Sequence, residues 1–303
     1  MRDAFVDKLT ELAAADEDIV LLTGDLGFGV FENFESNFPG QFFNVGVAEQ
    51  NMTGLAAGLA LEGKKVITYS IANFPTLRCL EQIRNDGCYH DLNITIVASG
   101  GGFSYGSLGM SHHATEDIGI LRALPAMRVV APGTAWEASE AIEALVKGDG
   151  VGYLRLDKTV ANENKKHLFS LERSIKYIEG VDLTLIATGG ILRDTIKSSE
   201  LLKEHGIDTR VVSMYSIKPI DKDSIIAAVN ETGGIVTIEE HNIDGGLGSA
   251  VAEVCMDNGL IPKKFLRIGI NNHYSSIVGS QDYLKAHYQI DAIAIFKRVK
   301  TLL

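Results

Sequence analysis

The stretch FFNVGVAEQNMTGLAAGLALEG, residues 42–63, has the pattern of a short apolar strand, a turn and a helix of small and apolar residues. It carries one unexpected carboxylate, Glu49, where the helix should begin. The ordinary structural interpretation is an acid stabilised by the helix dipole. However, the glycines and alanines of residues 54–60 allow close packing. A carboxylate at such an interface needs a perturbed pKa or a basic partner, so both interpretations stay open.

Outside this stretch, short β-rich runs alternate with helical patterns along the whole chain. The predicted strands are DIVLLTG, FFNVG, KKVITYS, NITIVAS, MRVVAP and GYLRL, followed by DLTLIAT, TRVVSMY, GIVTIEE and FLRIGI. Runs that are apolar on both faces are typical of a parallel sheet covered by helices. We therefore predict an α/β protein of two consecutive doubly wound, mostly parallel-sheet domains, residues 1–160 and 181–303. The polar, aperiodic segment 161–180 is predicted to be a linker.

The composition excludes several classes of protein. The chain has 303 residues, of which 46% are hydrophobic and 22% charged, the balance of an ordinary globular protein. A net charge of −11 argues against nucleic acid or an anionic membrane as a partner. Three scattered cysteines indicate reduced thiols, and the charged N-terminal helix pattern does not resemble a signal peptide. We therefore predict a cytoplasmic protein.

Two further segments invite a functional interpretation. SGGGFSYGSLG, residues 99–109, follows a strand but lacks both the phosphate-loop and the dinucleotide-binding fingerprints. MSHHATED, residues 110–117, carries two adjacent histidines, which point in different directions and are poor joint ligands for one metal. A helix-capping turn and a catalytic histidine are both compatible with this segment. No metal-ligating residue is predicted on the chain.

Several motifs, taken together and in order, carry a family resemblance. GVAEQNMTGLAAGLALEG, YSIANFPTLRCLEQIR and SHHATEDIGILRALPAMRVVAPGTAWE resemble the pyrimidine-binding domain of transketolase-like, thiamine-diphosphate enzymes. TLIATGG, VVSMYSIKPID and EEHNIDGGLGSAVAE resemble the transketolase C-terminal domain. The resemblance covers nearly the whole chain. It implies a transketolase-type transferase, which moves a two-carbon ketol unit from a ketose to an aldose.

The resemblance assigns roles to five residues. Glu49 falls on the glutamate that hydrogen-bonds N1′ of the cofactor's aminopyrimidine, so that its N4′ group can remove the proton from C2 of the thiazolium. Phe74 matches the aromatic residue that stacks on the pyrimidine, and Ile71 falls where a second aromatic is often found. Arg78 matches a cofactor-binding arginine, with one extra residue between it and Phe74. His112 matches a catalytic histidine that reaches substrate hydroxyls.

The substrate positions depart from the family pattern. Leu108 replaces an aspartate that recognises a substrate hydroxyl, and Gly100 stands where many relatives have a histidine. Lys158 stands where an arginine commonly binds the sugar phosphate, and Arg2 has the spacing of a second phosphate contact. Without these polar partners, the site discriminates less between a sugar that carries the hydroxyl and one that lacks it. We therefore predict that a modified, deoxy or branched sugar, or a sugar on a larger carrier, is preferred to ordinary pentose phosphates.

The resemblance also implies a missing half. Members of the family hold the diphosphate through Mg²⁺ with a GDG motif and a later Asn, whereas this chain has only GDLG at residues 24–27. The prediction is therefore a split enzyme, in which this chain is the C-terminal subunit. An N-terminal subunit with the GDG…N motif would supply the diphosphate site and the Mg²⁺ ligands. An α₂β₂ heterotetramer would then hold two active sites.

Three alternatives remain open from the sequence. The β subunit of a 2-oxoacid dehydrogenase is also a separate chain with this two-domain plan, and a deoxyxylulose-phosphate-synthase-like carboligase is a further variant. A non-catalytic scaffold would keep the fold without the chemistry. Such a scaffold has no need of Glu49, Phe74 and His112 together.

Overall fold

The computed structural model describes residues 1–162 and 167–303. Residues 163–166, which belong to the predicted linker, lie outside the described residues. The chain folds into two α/β units, each built on one sheet with mostly parallel strands, which confirms the predicted fold class. The strands are β1 (Ile19–Thr23), β2 (Phe42–Asn44), β3 (Lys65–Ile71), β4 (Ile94–Ser99), β5 (Arg128–Val130), β6 (Gly152–Leu156), β7 (Ile175–Ile178), β8 (Leu183–Thr188), β9 (Thr209–Ser213), β10 (Ser216–Lys218), β11 (Ile235–Asn242) and β12 (Phe265–Ile270).

Helices cover the faces of both sheets, as the doubly apolar strands require. They are α1 (Arg2–Ala15), α2 (Glu32–Asn37), α3 (Glu49–Leu61), α4 (Leu80–Gln82), α5 (Asp117–Arg122), α6 (Ala135–Lys147), α7 (Leu192–Glu204), α8 (Lys222–Glu231), α9 (Leu247–Asp257), α10 (Gln281–His287) and α11 (Ala292–Leu302). Helix α4 continues as a π-helical turn, Ile83–Cys88, and 3₁₀ turns occupy Gly106–Leu108 and Met110–His112. Within the described ranges, no helix is both long and apolar enough to cross a membrane.

The first sheet has seven strands in the order β10-β5-β6-β4-β3-β1-β2, and the second has five in the order β12-β11-β8-β9-β7. All described strand pairs are parallel except β10 with β5 and β7 with β9. The central strands are buried on both faces, and β1, β6 and β8 have no exposed residue. Each sheet therefore has a hydrophobic layer on either side, as the apolar runs predict.

Two short strands differ from the sequence prediction. Residues 175–178, predicted to lie in the linker 161–180, form β7, which pairs with β9 of the second sheet. Strand β10 follows β9 in the chain but leaves the second sheet and pairs with β5 of the first. The domain boundaries at 1–160 and 181–303 stay a prediction, and the sheets themselves are joined by this exchanged strand.

Candidate active site

Several loops that carry predicted site residues leave one edge of the first sheet. Strands β1, β3, β4 and β6 are parallel, and their carboxyl ends lie side by side. In open α/β sheets, ligands bind in the crevice outside the carboxyl ends of the strands. Phe74 follows β3, Gly100 follows β4 and Lys158 follows β6, so the topology gathers these residues at that edge.

Glu49 is the first residue of α3 and is only 2% exposed. Its Oε2 accepts a hydrogen bond of 2.6 Å from Nη1 of Arg78. Gly24, in the loop after β1, faces the same side chain, since a Cβ built there would lie 3.8 Å from Cγ of Glu49. The buried carboxylate of Glu49 therefore has a basic partner, as expected for a carboxylate at a closely packed interface. Arg78 is half-exposed, so this pair adds little to stability.

An aromatic face lies beside this ion pair. The guanidinium carbon of Arg78 lies 4.9 Å from the centroid of the Phe74 ring. The Phe74 ring in turn meets the ring of His112 edge to face, with centroids 5.2 Å apart. The structure thus brings Glu49, Arg78, Phe74 and His112 together in one continuous series of contacts.

The two adjacent histidines occupy different environments, as their neighbouring positions require. His112 ends the 3₁₀ turn Met110–His112, and its Nδ1 lies 3.0 Å from Oγ of Ser111. His113 is buried, with Nε2 3.3 Å from the carbonyl oxygen of Gly106, and burial lowers its pKa. The side-chain amide of Asn73 donates to the carbonyl oxygens of Ser111 and His113 and so ties the two loops together. His112 is therefore half-buried beside Phe74, and His113 is buried beneath the loop.

Three other predicted residues line a cavity of about 480 Å³ at the same edge. They are Arg2, Ile71 and Lys158. Tyr69 and Tyr105 also line it, together with Asp3 and Asp157, so its walls combine aromatic rings with side chains of both charges. Arg2 pairs with Asp3 at 3.1 Å, whereas Lys158 lies over the ring of Tyr105. A cavity of this composition suits a polar ligand.

The two substituted positions, Gly100 and Leu108, differ in placement. Gly100 has a φ of +86°, and the ring of Tyr105 occupies the space above it. Leu108 ends the 3₁₀ turn Gly106–Leu108, is 54% exposed and does not line the cavity. Neither residue offers a polar side chain to a ligand.

A buried ionic cluster, which the sequence did not predict, surrounds Arg155 of β6. Arg155 in β6 is fully buried, with Nε 3.0 Å from Oδ2 of Asp117 and Nη1 3.7 Å from Oδ2 of Asp157. Its Nη2 donates to the carbonyl oxygens of Ala114 and Glu240, at 3.0 and 2.9 Å. Burial lowers the pKa of Arg155, but the two carboxylates outweigh it and hold the pKa above its usual value. The sequence feature that could have predicted this cluster is the arginine within the apolar strand GYLRL, since a buried arginine needs carboxylate partners.

The second unit contacts the loop that follows β4 through Glu240 of β11. Its Oε1 accepts a hydrogen bond of 2.6 Å from the backbone N–H of Phe103. Burial, together with the nearby Asp157 carboxylate, raises the pKa of Glu240 to about 7. Nε2 of Gln281 donates to both carboxylate oxygens of Glu240, at 3.1 and 3.0 Å. Residues of both units therefore hold the loop that follows β4.

The donor groups at this edge suit an organic cofactor better than a metal ion. Among the described residues, no group of three His, Cys, Asp or Glu side chains could hold a metal ion. A buried carboxylate and an aromatic ring that both contact one planar guanidinium, by contrast, offer the partners that a planar heterocycle with a protonated ring nitrogen needs. Glu49 and Phe74 therefore fit the aminopyrimidine half of thiamine diphosphate.

Comparison with known proteins assigns the chain to a family. The family model "Transketolase, pyrimidine binding domain" matches residues 1–163, and "Transketolase, C-terminal domain" matches residues 175–295. The chain belongs to the transketolase family.

Individual relatives agree with the assignment. A protein of Methanocaldococcus jannaschii described as a transketolase C-terminal section is 41% identical over 99% of this chain and 95% of its own length. One of the subunits of the apulose-4-phosphate transketolase of Phocaeicola vulgatus is 37% identical over 98% of this chain and 95% of its own length. A split-gene transketolase solved as an inactive β4 tetramer superposes with a TM-score of 0.91 at 34% identity, covering 100% of this chain and 97% of that one.

Proposed function

We propose that this chain is the C-terminal subunit of a split, thiamine-diphosphate-dependent transketolase. The enzyme would transfer a two-carbon ketol unit from a ketose to an aldose, in the cytoplasm. The observation that carries the proposal is the buried Glu49 carboxylate at the start of α3, whose partner Arg78 lies over the ring of Phe74. The relatives from Methanocaldococcus and Phocaeicola are transketolase sections or subunits, which favours this function over a 2-oxoacid dehydrogenase or a deoxyxylulose-phosphate synthase.

The residues of this chain have distinct tasks in the proposed reaction. Thiamine diphosphate, when bound, supplies the electron sink for cleavage of the carbon–carbon bond of the ketose. Glu49 holds a proton at N1′ of the pyrimidine, and Arg78 balances the charge of this carboxylate while it is buried. Phe74 offers its ring face to the pyrimidine, and Ile71 adds apolar surface. His112 reaches the hydroxyl groups of the substrate.

The substrate is proposed to be a modified sugar with an anionic end. Arg2 and Lys158 line one cavity and would bind a phosphate, Lys158 as a point charge. Gly100 and Leu108 offer no polar partner to a hydroxyl, so a deoxy, branched or carrier-linked sugar loses nothing there. A relative named for apulose 4-phosphate supports a substrate other than xylulose 5-phosphate.

The experiment that tests this function is a substrate comparison on the reconstituted complex. We expect kcat/KM for a modified ketose phosphate, such as apulose 4-phosphate or a deoxyketose phosphate, to exceed that for xylulose 5-phosphate by about tenfold. Product analysis must show transfer of two carbons to the aldose. If xylulose 5-phosphate with ribose 5-phosphate is the best pair, the substitutions at Gly100 and Leu108 have no role in selectivity.

Assembly gives a second prediction. The diphosphate and Mg²⁺ are proposed to be held by an N-terminal partner with a GDG…N motif, in an α₂β₂ heterotetramer. Titration calorimetry should therefore detect little binding of thiamine diphosphate and Mg²⁺ to this chain alone. Tight, Mg²⁺-dependent binding should appear after the partner is added, since the Mg²⁺ ligands then become available. Tight binding by the isolated chain would rule out the division of the cofactor site between two polypeptides.

A further inference from the structure

The loop after β4 folds so that the ring of Tyr105 lies directly over Gly100. A Cβ built at Gly100 would lie 2.2 Å from Cε2 and 2.4 Å from Cδ2 of Tyr105, distances at which carbon atoms overlap. The φ of +86° at Gly100 also disfavours any side chain. The volume at the end of β4 is therefore taken by an aromatic ring from five residues further along the chain.

The same ring holds the ammonium group of Lys158. The Nζ atom lies 3.7 Å from the centroid of the Tyr105 ring, well within the distance of a cation–π contact. The two loops are also joined by backbone contacts, since the N–H of Gly100 donates to the carbonyl oxygen of Leu156 at 2.7 Å. Lys158 is exposed, so without the ring its long side chain would sample many rotamers. Tyr105 therefore fixes the position of a cation that the backbone alone does not fix.

Tyr105 lies close to both His112 and Lys158. Its ring lines the cavity together with Arg2 and Lys158, and its centroid lies 6.5 Å from that of His112. A sugar that reaches from His112 towards Lys158 would therefore meet this ring. Aromatic faces contact the C–H groups of a sugar without requiring a hydroxyl at any one position.

We propose that Tyr105 is a specificity-determining residue: its ring replaces a polar contact to the sugar with an apolar wall and holds Lys158 in place, so that the site selects sugars by a terminal phosphate. This inference rests on the proposed transfer function and names the substrate class of the same site. An apolar wall discriminates weakly between a sugar and its deoxy analogue, whereas a fixed cation discriminates strongly for an anion. The selected feature is then the charged end of the sugar.

Calorimetry on the reconstituted complex tests the inference without turnover. Ribose 5-phosphate and ribose are titrated in the absence of a ketose, so that only binding is measured. Tyr105→Leu keeps apolar bulk but removes the aromatic face, and we expect it to weaken the binding of ribose 5-phosphate by about tenfold, with ribose nearly unchanged. Tyr105→Phe keeps the ring face and should restore the affinity to within about twofold. Tyr89→Leu, at a ring that is 84% exposed, is the matched control and should change neither affinity.

A double-mutant cycle with Lys158→Gln isolates the contact between ring and cation. In the Lys158→Gln background, Tyr105→Leu should add little further loss, because the two residues act through one contact. In steady-state transfer, Tyr105→Leu should raise KM for the phosphorylated sugar by about tenfold and leave kcat within about threefold.

Three results would overturn the role of Tyr105. One is an equal loss of affinity for ribose and ribose 5-phosphate, another is a Phe variant as weak as the Leu variant, and the third is an unchanged phosphate preference in both variants. Failure of the proposed function is a separate outcome, because the wild-type complex would then transfer no ketol unit from any ketose. If the wild type is active and the Tyr105 variants keep its phosphate preference, only the specificity proposal is wrong.

Discussion

Glu49→Gln is expected to lower the rate of ketol transfer by the reconstituted complex by about 10²- to 10⁴-fold, the range of acid–base contributions. The amide keeps the shape of the side chain, which is 2% exposed at the start of α3. It removes the charge that holds a proton at N1′ of the pyrimidine. The direct measurement is exchange of the thiazolium C2 proton in D₂O, followed by NMR.

The matched control is Glu62→Gln, since Glu62 is exposed just beyond the other end of α3. This variant should keep the wild-type exchange rate. The stability of Glu49→Gln should also change little, because the partner Arg78 is half-exposed and the ion pair is screened by water. Exchange at the wild-type rate in Glu49→Gln would show that another group holds the N1′ proton.

Arg155→Met is expected to lower the free energy of unfolding by about 3–5 kcal/mol, the cost of breaking a buried ion pair from one side. Asp117 and Asp157 would be left buried without their cation, and the carbonyl oxygen of Glu240 would lose a donor. The side chains of these two aspartates are at most 1% exposed, so water cannot replace the guanidinium. Chemical unfolding of the purified chain in urea, followed by circular dichroism, measures the change.

A second arginine provides the comparison. Arg84 is exposed, and its guanidinium donates to its neighbour Asn85, so Arg84→Met should change the unfolding free energy by less than about 0.5 kcal/mol. Equal stability of Arg155→Met and wild type would contradict a stabilising role for the buried ion pairs of Arg155. The same loss in both variants would point to a general effect of removing an arginine.

The long strands were predictable because each is a run of apolar residues buried on both faces. Strands β7 and β10 were not, because each is short and lies in a segment without an apolar run, whereas the equally short β2 and β5 lie within apolar runs. The pairing of β10 with β5 depends on contacts between segments far apart in the chain. Local propensity therefore described the parallel strands of each sheet and missed the one antiparallel strand at an edge of each.

The residues of the candidate site were also predictable only in part from the sequence. Glu49 stands out in the sequence because a carboxylate rarely interrupts a run of small residues, but its partner Arg78 is 29 positions away and gives no local signal. The ring of Tyr105 over Gly100 depends on the path of a loop with positive φ, which no spacing reveals. The sequence thus indicated the anomalous groups, and the tertiary structure determined which of them meet.

The strand exchanged between the sheets has a practical consequence for dissecting this chain. If residues 1–162 were produced alone, β10 would be absent and β5 would become an open edge with unpaired backbone groups. Such an edge recruits strands from other molecules, so we expect this fragment to precipitate or to associate non-natively. The second half would carry an unpaired β10 of its own. The natural unit for expression and for grafting onto a partner is therefore the whole chain, and a hybrid between two relatives should keep β5 and β10 from the same parent.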